Sequence, residues 1–374
     1  MKKFNESLIK KSLLAIIIIA LSVPATFFLS YNRIKAHAKK TTLKDIAVIA
    51  ELHKGQVCQF LEMTRRCAQD FASDGFIRTQ LLKEIRGSEV SVNNLSKYLV
   101  ENKITIDASI KTIHILSMEG RVIASTDNAE IEKDLSNETF FIKGKDAVAL
   151  VENTAGREGM PELAVSAPVF GMSKKKATDH PHLNLPHQGG GIQGNNEYSP
   201  PLVGGVRGGG ELLQKNTIGV LVNIIRLSEL NKMLSGEYRM EQHSILWDKG
   251  RWKSMEVYLV NRDKRMITNS IFVKDAVLKQ IVNTLPVVTG LTTKKEVAEF
   301  YKDYRGVMVV GASKLIPQLE WVLLTEVDED EILLFMKLML MSAPIPAGII
   351  IIVSIVLFIT FFKKVVKPLH QISD

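Results

Sequence analysis

Two cysteines among 374 residues are too few for a disulfide-built scaffold. Cys58 and Cys67 stand nine positions apart in one predicted helix, which separates them by roughly 13 Å of rise and half a turn. A disulfide does not reach that far, so they read as buried or free thiols, with a bridge between subunits at a dimer seam as the alternative. Catalytic signatures are missing as well. There is no nucleophile elbow, no phosphate-binding glycine loop between strand and helix, and no HExxH. No catalytic residue, cofactor or resident metal is therefore expected, and the chain does not read as an enzyme. Long apolar runs are confined to two blocks, residues 13–31 and 338–362. Each is long enough to cross about 30 Å of hydrocarbon as a helix, and two are too few for a multi-spanning transporter. General disorder is excluded by a 46% hydrophobic composition.

The net charge of +8 does not mark a nucleic-acid-binding face. Lys2, Lys3, Lys10 and Lys11 precede the first apolar block, and Lys337, Lys363, Lys364 and Lys367 lie in or beside the second. With those set aside the remainder is nearly balanced, so the excess belongs to the membrane flanks and no nucleic-acid partner is expected. Asp328, Glu329, Asp330 and Glu331 lead into the second block and lysines follow it, which orients the C-terminus to the cytoplasm. Two spans place both termini on that side and about 300 residues outside it. The first block reads as an uncleaved anchor, because the apolar run continues through Phe27, Phe28 and Leu29 past the weak Val23-Pro24-Ala25 context.

Between the blocks the periodicity is ordered. Leu43, Ile46, Ala50, Val57, Leu61, Thr64, Ala68 and Phe71 recur at helical spacing, predicting a rod of about 50 Å over residues 39–72. Asp74 or Ser73 caps a helix at 76–85, and a third helix covers 92–101. Strands are predicted at 113–116 and 122–126 around a Met118–Arg121 turn, then at 147–151, 163–170 and 218–224. The order then repeats: helix 227–234, strands 257–261 and 266–268, a short helix 275–282, a hairpin of 299–301 with 307–312, and a last strand at 321–325. Leading helices followed by about five antiparallel strands, twice over, describe an α+β tandem of PAS-like modules.

One segment interrupts the first module. Residues 172–216 stand where a hairpin loop of a few residues would suffice. The stretch 180–210 resembles the translation of a dispersed bacterial DNA repeat. His180, His182 and His187 lie there without a carboxylate or cysteine framework, so they are not read as a metal site. The segment is expected to be a disordered surface insertion around which the flanking strands still pair.

Span, long helix, two PAS-like modules and span together resemble the double Cache (dCache) sensor family of bacterial receptors. The resemblance rests on Asp134-Leu135-Ser136, Val165-Ser166-Ala167-Pro168-Val169 and Ile218-Gly219-Val220-Leu221 in the first module. In the second it rests on 257–261, 266–270, 301–307 and 319–326. It implies a cell-membrane location, a distal module at about 75–225 and a proximal module at about 226–330 within an extracytoplasmic domain 32–335. It also implies signal transduction of the chemotaxis or two-component type, whether through methyl-accepting, kinase or cyclase output. Lys367-Pro368-Leu369-His370-Gln371-Ile372 looks like the opening of a HAMP linker. Asp374 comes before any output module, so the expectation is a truncated or interrupted receptor, or output carried by another chain.

The resemblance also points to a small ligand, of unknown identity, bound in the first module under residues 134–145. The candidate contacts are Thr126, Asp127, Phe140, Phe141, Lys143 and Arg157, with ordinary core packing as the other reading of the two phenylalanines. Residues 139–143 lack the Arg-aromatic cluster of the family's amino-acid-binding members, which argues against an amino acid held in that mode. In the second module Tyr301, Asp303, Tyr304, Arg305 and Gly306 read as a structural hairpin. Thr268 and Ser270 read as strand surface, and Trp321 as a core anchor. The partners expected are a small molecule, membrane lipid and a second copy of the chain. The alternative is a membrane-anchored structural or partner-binding protein, or a non-functional truncated receptor, with no small ligand.

Overall fold

The structure, a computed structural model, describes residues 2–86, 92–153, 160–173, 214–235, 252–342, 344–361 and 363–364. It is a mixed fold of helices and antiparallel sheets with a long N-terminal helix, α1 (Lys2–Ala72). The described chain divides into two compact units. One, the central unit, comprises residues 63–151 and 163–225; the other, the terminal unit, comprises 1–62, 152–162 and 226–374.

The central unit opens on the last turns of α1, then α2 (Gly75–Ile85) and α3 (Val92–Asn102). Asp74 starts α2: its carboxylate accepts from Phe76 N–H at 2.8 Å and Ile77 N–H at 3.2 Å, occupying backbone donors that a helix start leaves free. The same carboxylate accepts from Tyr98 Oη at 2.9 Å and pairs with Lys103 at 2.7 Å. Burial pushes Asp74 up, but Lys103, the two backbone donors and Tyr98 hold it below its ordinary value. A carboxyl lowered in the folded state contributes stability above its unfolded pKa that is lost as pH falls through the folded value. Asp74→Ala is expected to lower unfolding free energy by about 1–2 kcal/mol at pH 7, read in urea, with the difference shrinking below about pH 3.8.

Five strands follow: β1 (Ile110–Leu116), β2 (Val122–Ser125), β3 (Ala149–Asn153), β4 (Glu162–Ser173) and β5 (Gln214–Arg226), in the order β2-β1-β5-β4-β3. β1 pairs antiparallel with both β2 and β5. The β1–β2 turn closes on Gly120, whose φ of 94° and whose approach to Ser136 exclude a side chain: a Cβ there would stand 2.7 Å from Ser136 N. Asp134 Oδ1 accepts from Ser136 N–H at 2.9 Å, which forms the tight bend that Gly120 accommodates. β4 and β5 are hydrogen-bonded neighbours, so these strands pair across the excursion between them as expected. Residues 174–213 of that excursion, including His180, His182 and His187, lie outside the described residues.

α4 (Thr139–Gly144) crosses one face of this sheet. It seats Phe140 and Phe141 among Leu116, Val122, Ala164, Val220, Val222 and Ile224.

The terminal unit repeats the strand order with one strand reduced. α5 (Ser228–Ser235) leads to β6 (Glu256–Val260); α6 (Leu285–Thr293), β7 (Ala298–Lys302), β8 (Met308–Ile316) and β9 (Trp321–Asp328) follow, with sheet order β6-β9-β8-β7. Where the central unit has β2, residues 266–268 make only a single bridge, Val260 to Met266, so the second half of that expected hairpin is not a strand. The helix expected at 275–282 is also absent. Asp275 and Leu278 take positive φ, 55° and 58°, which ends helical hydrogen bonding. The helix forms at Leu285–Thr293 instead, with Pro286 in its first turn. One face of the sheet packs Val310, Ala312 and Val327 on Ile46 and Ala50 of α1; the other packs Tyr258, Val260, Val322 and Leu324 with Met266, Val282 and Val287.

β9 ends at Asp328 and α7 (Glu329–Ser342) begins at the next residue; α8 (Pro344–Phe361) follows. Among the described residues no helix is long and apolar enough to cross a membrane. The first apolar block lies within α1, where many of its side chains fall outside the described residues, and the second is divided between α7 and α8. Residues 365–374, which carry the HAMP-like opening, are outside the described residues. Cys58 and Cys67 are both free and half-buried. Burial pushes the Cys67 thiol up to about 11, with Asp107 and Asp70 adding to the effect.

Candidate functional site

In the central unit the site is built on the sheet face under α4. His114 on β1 lies opposite Val222 on β5, which puts it on the face that carries Val220, Val222 and Ile224. It is buried, and its Nδ1 lies 3.0 Å from Ser125 Oγ on β2. Ser125 Oγ also accepts from Asp127 N–H at 2.9 Å, and Ser125 N–H donates to Ser96 Oγ at 3.2 Å. Ser166 on β4 is fully buried, and among the described residues its hydroxyl has no hydrogen-bond partner. Gly144, the last residue of α4, passes directly over it; a Cβ at 144 would lie 2.5 Å from Ser166 Oγ and 2.9 Å from Val220 Cγ1. A serine, a histidine, a second serine and Thr112, whose Oγ1 lies 3.4 Å from His114 Nε2, are thus set into a largely aliphatic face, beneath a helix that approaches through a glycine.

The residues singled out from the sequence fall into separate groups. Phe140 and Phe141 are buried and belong to the hydrophobic core of that face. Thr126 is held at the end of β2, where its Oγ1 accepts from Ile113 N–H and its N–H donates to Ile113 C=O. Asp127 caps the following turn by accepting from Ala129 N–H at 3.0 Å. Lys143 is exposed on α4. Lys145, not Lys143, sits against the aromatic wall, with Nζ 4.9 Å from the Phe141 ring centroid. Arg157 lies outside the described residues. His114, Ser125 and Ser166 were missed. Alternation offered a signal at Ser166 alone, whose i±2 neighbours Ala164 and Pro168 are apolar; His114 follows Thr112 and Ser125 precedes Asp127 at that spacing.

The terminal unit carries a second polar constellation. Glu256 on β6 and Glu326 on β9 are directly paired residues of adjacent strands, each 2% exposed. Glu326 accepts from Tyr301 Oη at 2.7 Å and Tyr258 Oη at 3.0 Å. Glu256 accepts from Tyr304 Oη at 2.8 Å and Ile271 N–H at 2.9 Å. Beside them Arg305 bridges Asp303 and Asp328, both at 2.6 Å, and stacks 3.6 Å from the Phe272 ring centroid. Asp303 Oδ1 accepts from Arg305 and Val307 N–H, and Gly306 at φ 80° completes the turn, so the expected hairpin is present. Thr268 and Ser270 are not strand surface: Thr268 is buried and accepts from Leu259 N–H, and Ser270 Oγ lies 2.7 Å from Tyr304 Oη.

Among the described residues no group of three or more His, Cys, Asp or Glu is arranged to hold a metal ion.

No family model matches the chain, and no curated protein does. Solved structures with similar folds exist. The sensor domain of the V. cholerae histidine kinase DctB is 12% identical, covering 78% of this chain and 98% of its own, with a TM-score of 0.49. The ligand-binding domain of Mlp24 with asparagine is 10% identical, covering 82% and 99%, with a TM-score of 0.48. The ligand-binding domain of the Campylobacter jejuni chemoreceptor Tlp3 in complex with 4-methylisoleucine is 12% identical, covering 79% and 94%, with a TM-score of 0.49. None of these reaches 0.5, and the functional reading below rests on this chain's own residues and topology.

Proposed function

We propose that the chain is the ligand-sensing input half of a membrane receptor of double Cache type, anchored by residues 13–31 and 338–362 and acting as a homodimer. The observation that carries this reading is continuity. A sheet of the repeated order ends in β9, and β9 passes into α7 with no intervening residue. Any rearrangement of that sheet is delivered to a helix that leads into the apolar block. Phe28, Leu29, Ile352 and Leu357 expose 62%, 61%, 62% and 65% of their surface, which suits side chains facing lipid. In this reading the central unit is the distal module, outside the cytoplasm. A small molecule binds on its α4-covered face, its polar group meeting Ser166 and His114 and its apolar part meeting Phe140 and Phe141. Binding favours one arrangement of the modules, and the differential affinity for the two arrangements is the signal.

The test is thermal unfolding of the detergent-solubilised full chain against a panel of organic acids, amines and purines. A ligand of the folded state at about 100 times its Kd adds about 2.7 kcal/mol and raises Tm, and Ser166→Leu is expected to abolish the shift. A panel without a single shift favours the membrane-anchored structural or partner-binding alternative. Protease added to intact spheroplasts is expected to cut within 32–335; protection there, with cleavage in inside-out vesicles, overturns the topology.

A further inference from the structure

We propose that the terminal unit is a proton-responsive element, in which a proton held on the Glu256–Glu326 pair fixes the β6–β9 seam and its release is passed to α7. The pairing geometry requires the proton. Directly opposed residues of antiparallel strands project from the same face with Cβ atoms about 5 Å apart, and both of these carboxyls are nearly inaccessible to water. Two charges that close in a desolvated site are not both tolerated, so one carboxyl keeps its proton.

The groups facing the pair decide which. β6 contributes Tyr258, β7 contributes Tyr301 with Glu299 further along, and β8 contributes only Gly311 at this level. The turn after β7 contributes Asp303, Tyr304 and Arg305, and β9 adds Asp328. All three phenols are raised above their ordinary value, by burial first, so they remain neutral donors. Arg305, the cation of this group, is engaged by Asp303 and Asp328. Glu256 has a backbone N–H as well as a phenol; Glu326 has phenols alone. Glu326 is therefore the protonated member. Burial drives it up to about 8, against the pull of Tyr301 and Tyr258 and with the help of Asp303 and Glu256. Burial raises Glu256 as well, countered by Ser270, Tyr304, Ile271 and Arg305.

The path outward is short. Asp328, two residues beyond Glu326, donates its N–H to Ser254 Oγ at 3.0 Å and holds Arg305 through its carboxylate. In the first turn of α7, Glu331 accepts from Lys253 N–H at 2.6 Å, Ser254 N–H at 2.8 Å and the Ser254 hydroxyl. When Glu326 releases its proton to solvent, a second negative charge appears opposite Glu256. Arg305 is the cation within the turn able to answer it, and drawing Arg305 away loosens its hold on Asp328 where β9 becomes α7.

Folded Glu326 binds its proton more tightly than an unfolded glutamate, so the associated stability is complete below about pH 4.5 and is lost as pH rises through about 8. Thermal unfolding of the full chain in detergent is expected to show Tm falling between pH 6 and 9, with Glu326→Gln flattening that fall. Glu256→Gln removes the opposing charge and is expected to move the midpoint to lower pH. That second variant keeps the test open if the first does not fold. A spin label on Leu334→Cys, in a Cys58→Ser/Cys67→Ser background with wild-type Tm, reads α7 directly. Its spectrum is expected to titrate near pH 8 in the wild-type pair, at lower pH in Glu256→Gln, and to be pH-independent in Glu326→Gln. Superimposable Tm profiles for wild type and both variants, or a label blind to pH in the wild-type pair, overturn the proposal. No ligand enters these measurements, so their failure is distinguishable from failure of the ligand screen.

Discussion

Gly311→Val is expected to destabilise the terminal unit by about 2–6 kcal/mol. Gly311 on β8 faces Glu326 on β9, and the Tyr301 side chain lies across the space its own side chain would take. A Cβ at 311 would stand 2.6 Å from Tyr301 Cζ and 2.8 Å from its Cε1. The tyrosine cannot yield cheaply, because its hydroxyl is one of two donors to a buried carboxyl. The valine therefore overpacks the sheet, at about 1–3 kcal/mol, and deprives Glu326 of a partner, at about 1–3 kcal/mol more. Combining it with Tyr301→Leu removes the clash, so the double variant is expected to lose less than the two single losses together. Equilibrium denaturation of all four proteins measures this; strict additivity would mean that Tyr301 is not what excludes a side chain at 311.

The second large effect is expected at Trp321→Ala, with a loss of about 3–5 kcal/mol. Trp321 opens β9, is fully buried and pairs with Ile316 across the β8–β9 ladder. Its Nε1–H donates to Glu152, a residue of the same unit, at 2.6 Å. Alanine creates a cavity and takes one donor from that carboxylate, which keeps Asn261 Nδ2 at 2.8 Å; phenylalanine refills most of the volume and is expected to recover more than half of the loss. Trp247 and Trp252 still emit in the variant but the signal of Trp321 is gone, so far-UV circular dichroism, which compares all three proteins on one scale, is the readout.

How much of this was legible depended on the range of the forces involved. α1, α2, α3 and the strands β1, β2, β4, β5 and β9 announce themselves through local periodicity, and Asp74 through its place before an apolar run. The helix at Leu285–Thr293 did not, because residues 275–282 carry a comparable apolar pattern and only the backbone conformation at Asp275 and Leu278 disqualifies them. The candidate site was half legible. Phe140 and Phe141 were placed on the correct connection, but Ser166 and His114 acquire meaning only when α4 folds over β4 and β1, a contact between distant parts of the chain. The same holds more strongly for Glu256 and Glu326. They are seventy positions apart in sequence, and each alone is an ordinary strand-end glutamate. Strand register makes them neighbours, and register is set by long-range pairing.

The connection between β4 and β5 has a practical use. Its two ends, at Ser173 and Gln214, leave and rejoin neighbouring strands of one sheet, and neighbouring strands run ~4.8 Å apart. A guest protein whose own termini lie close together can be spliced in at this point without asking the sheet to open. A circularly permuted fluorescent protein grafted there would report on the central unit from inside its own fold.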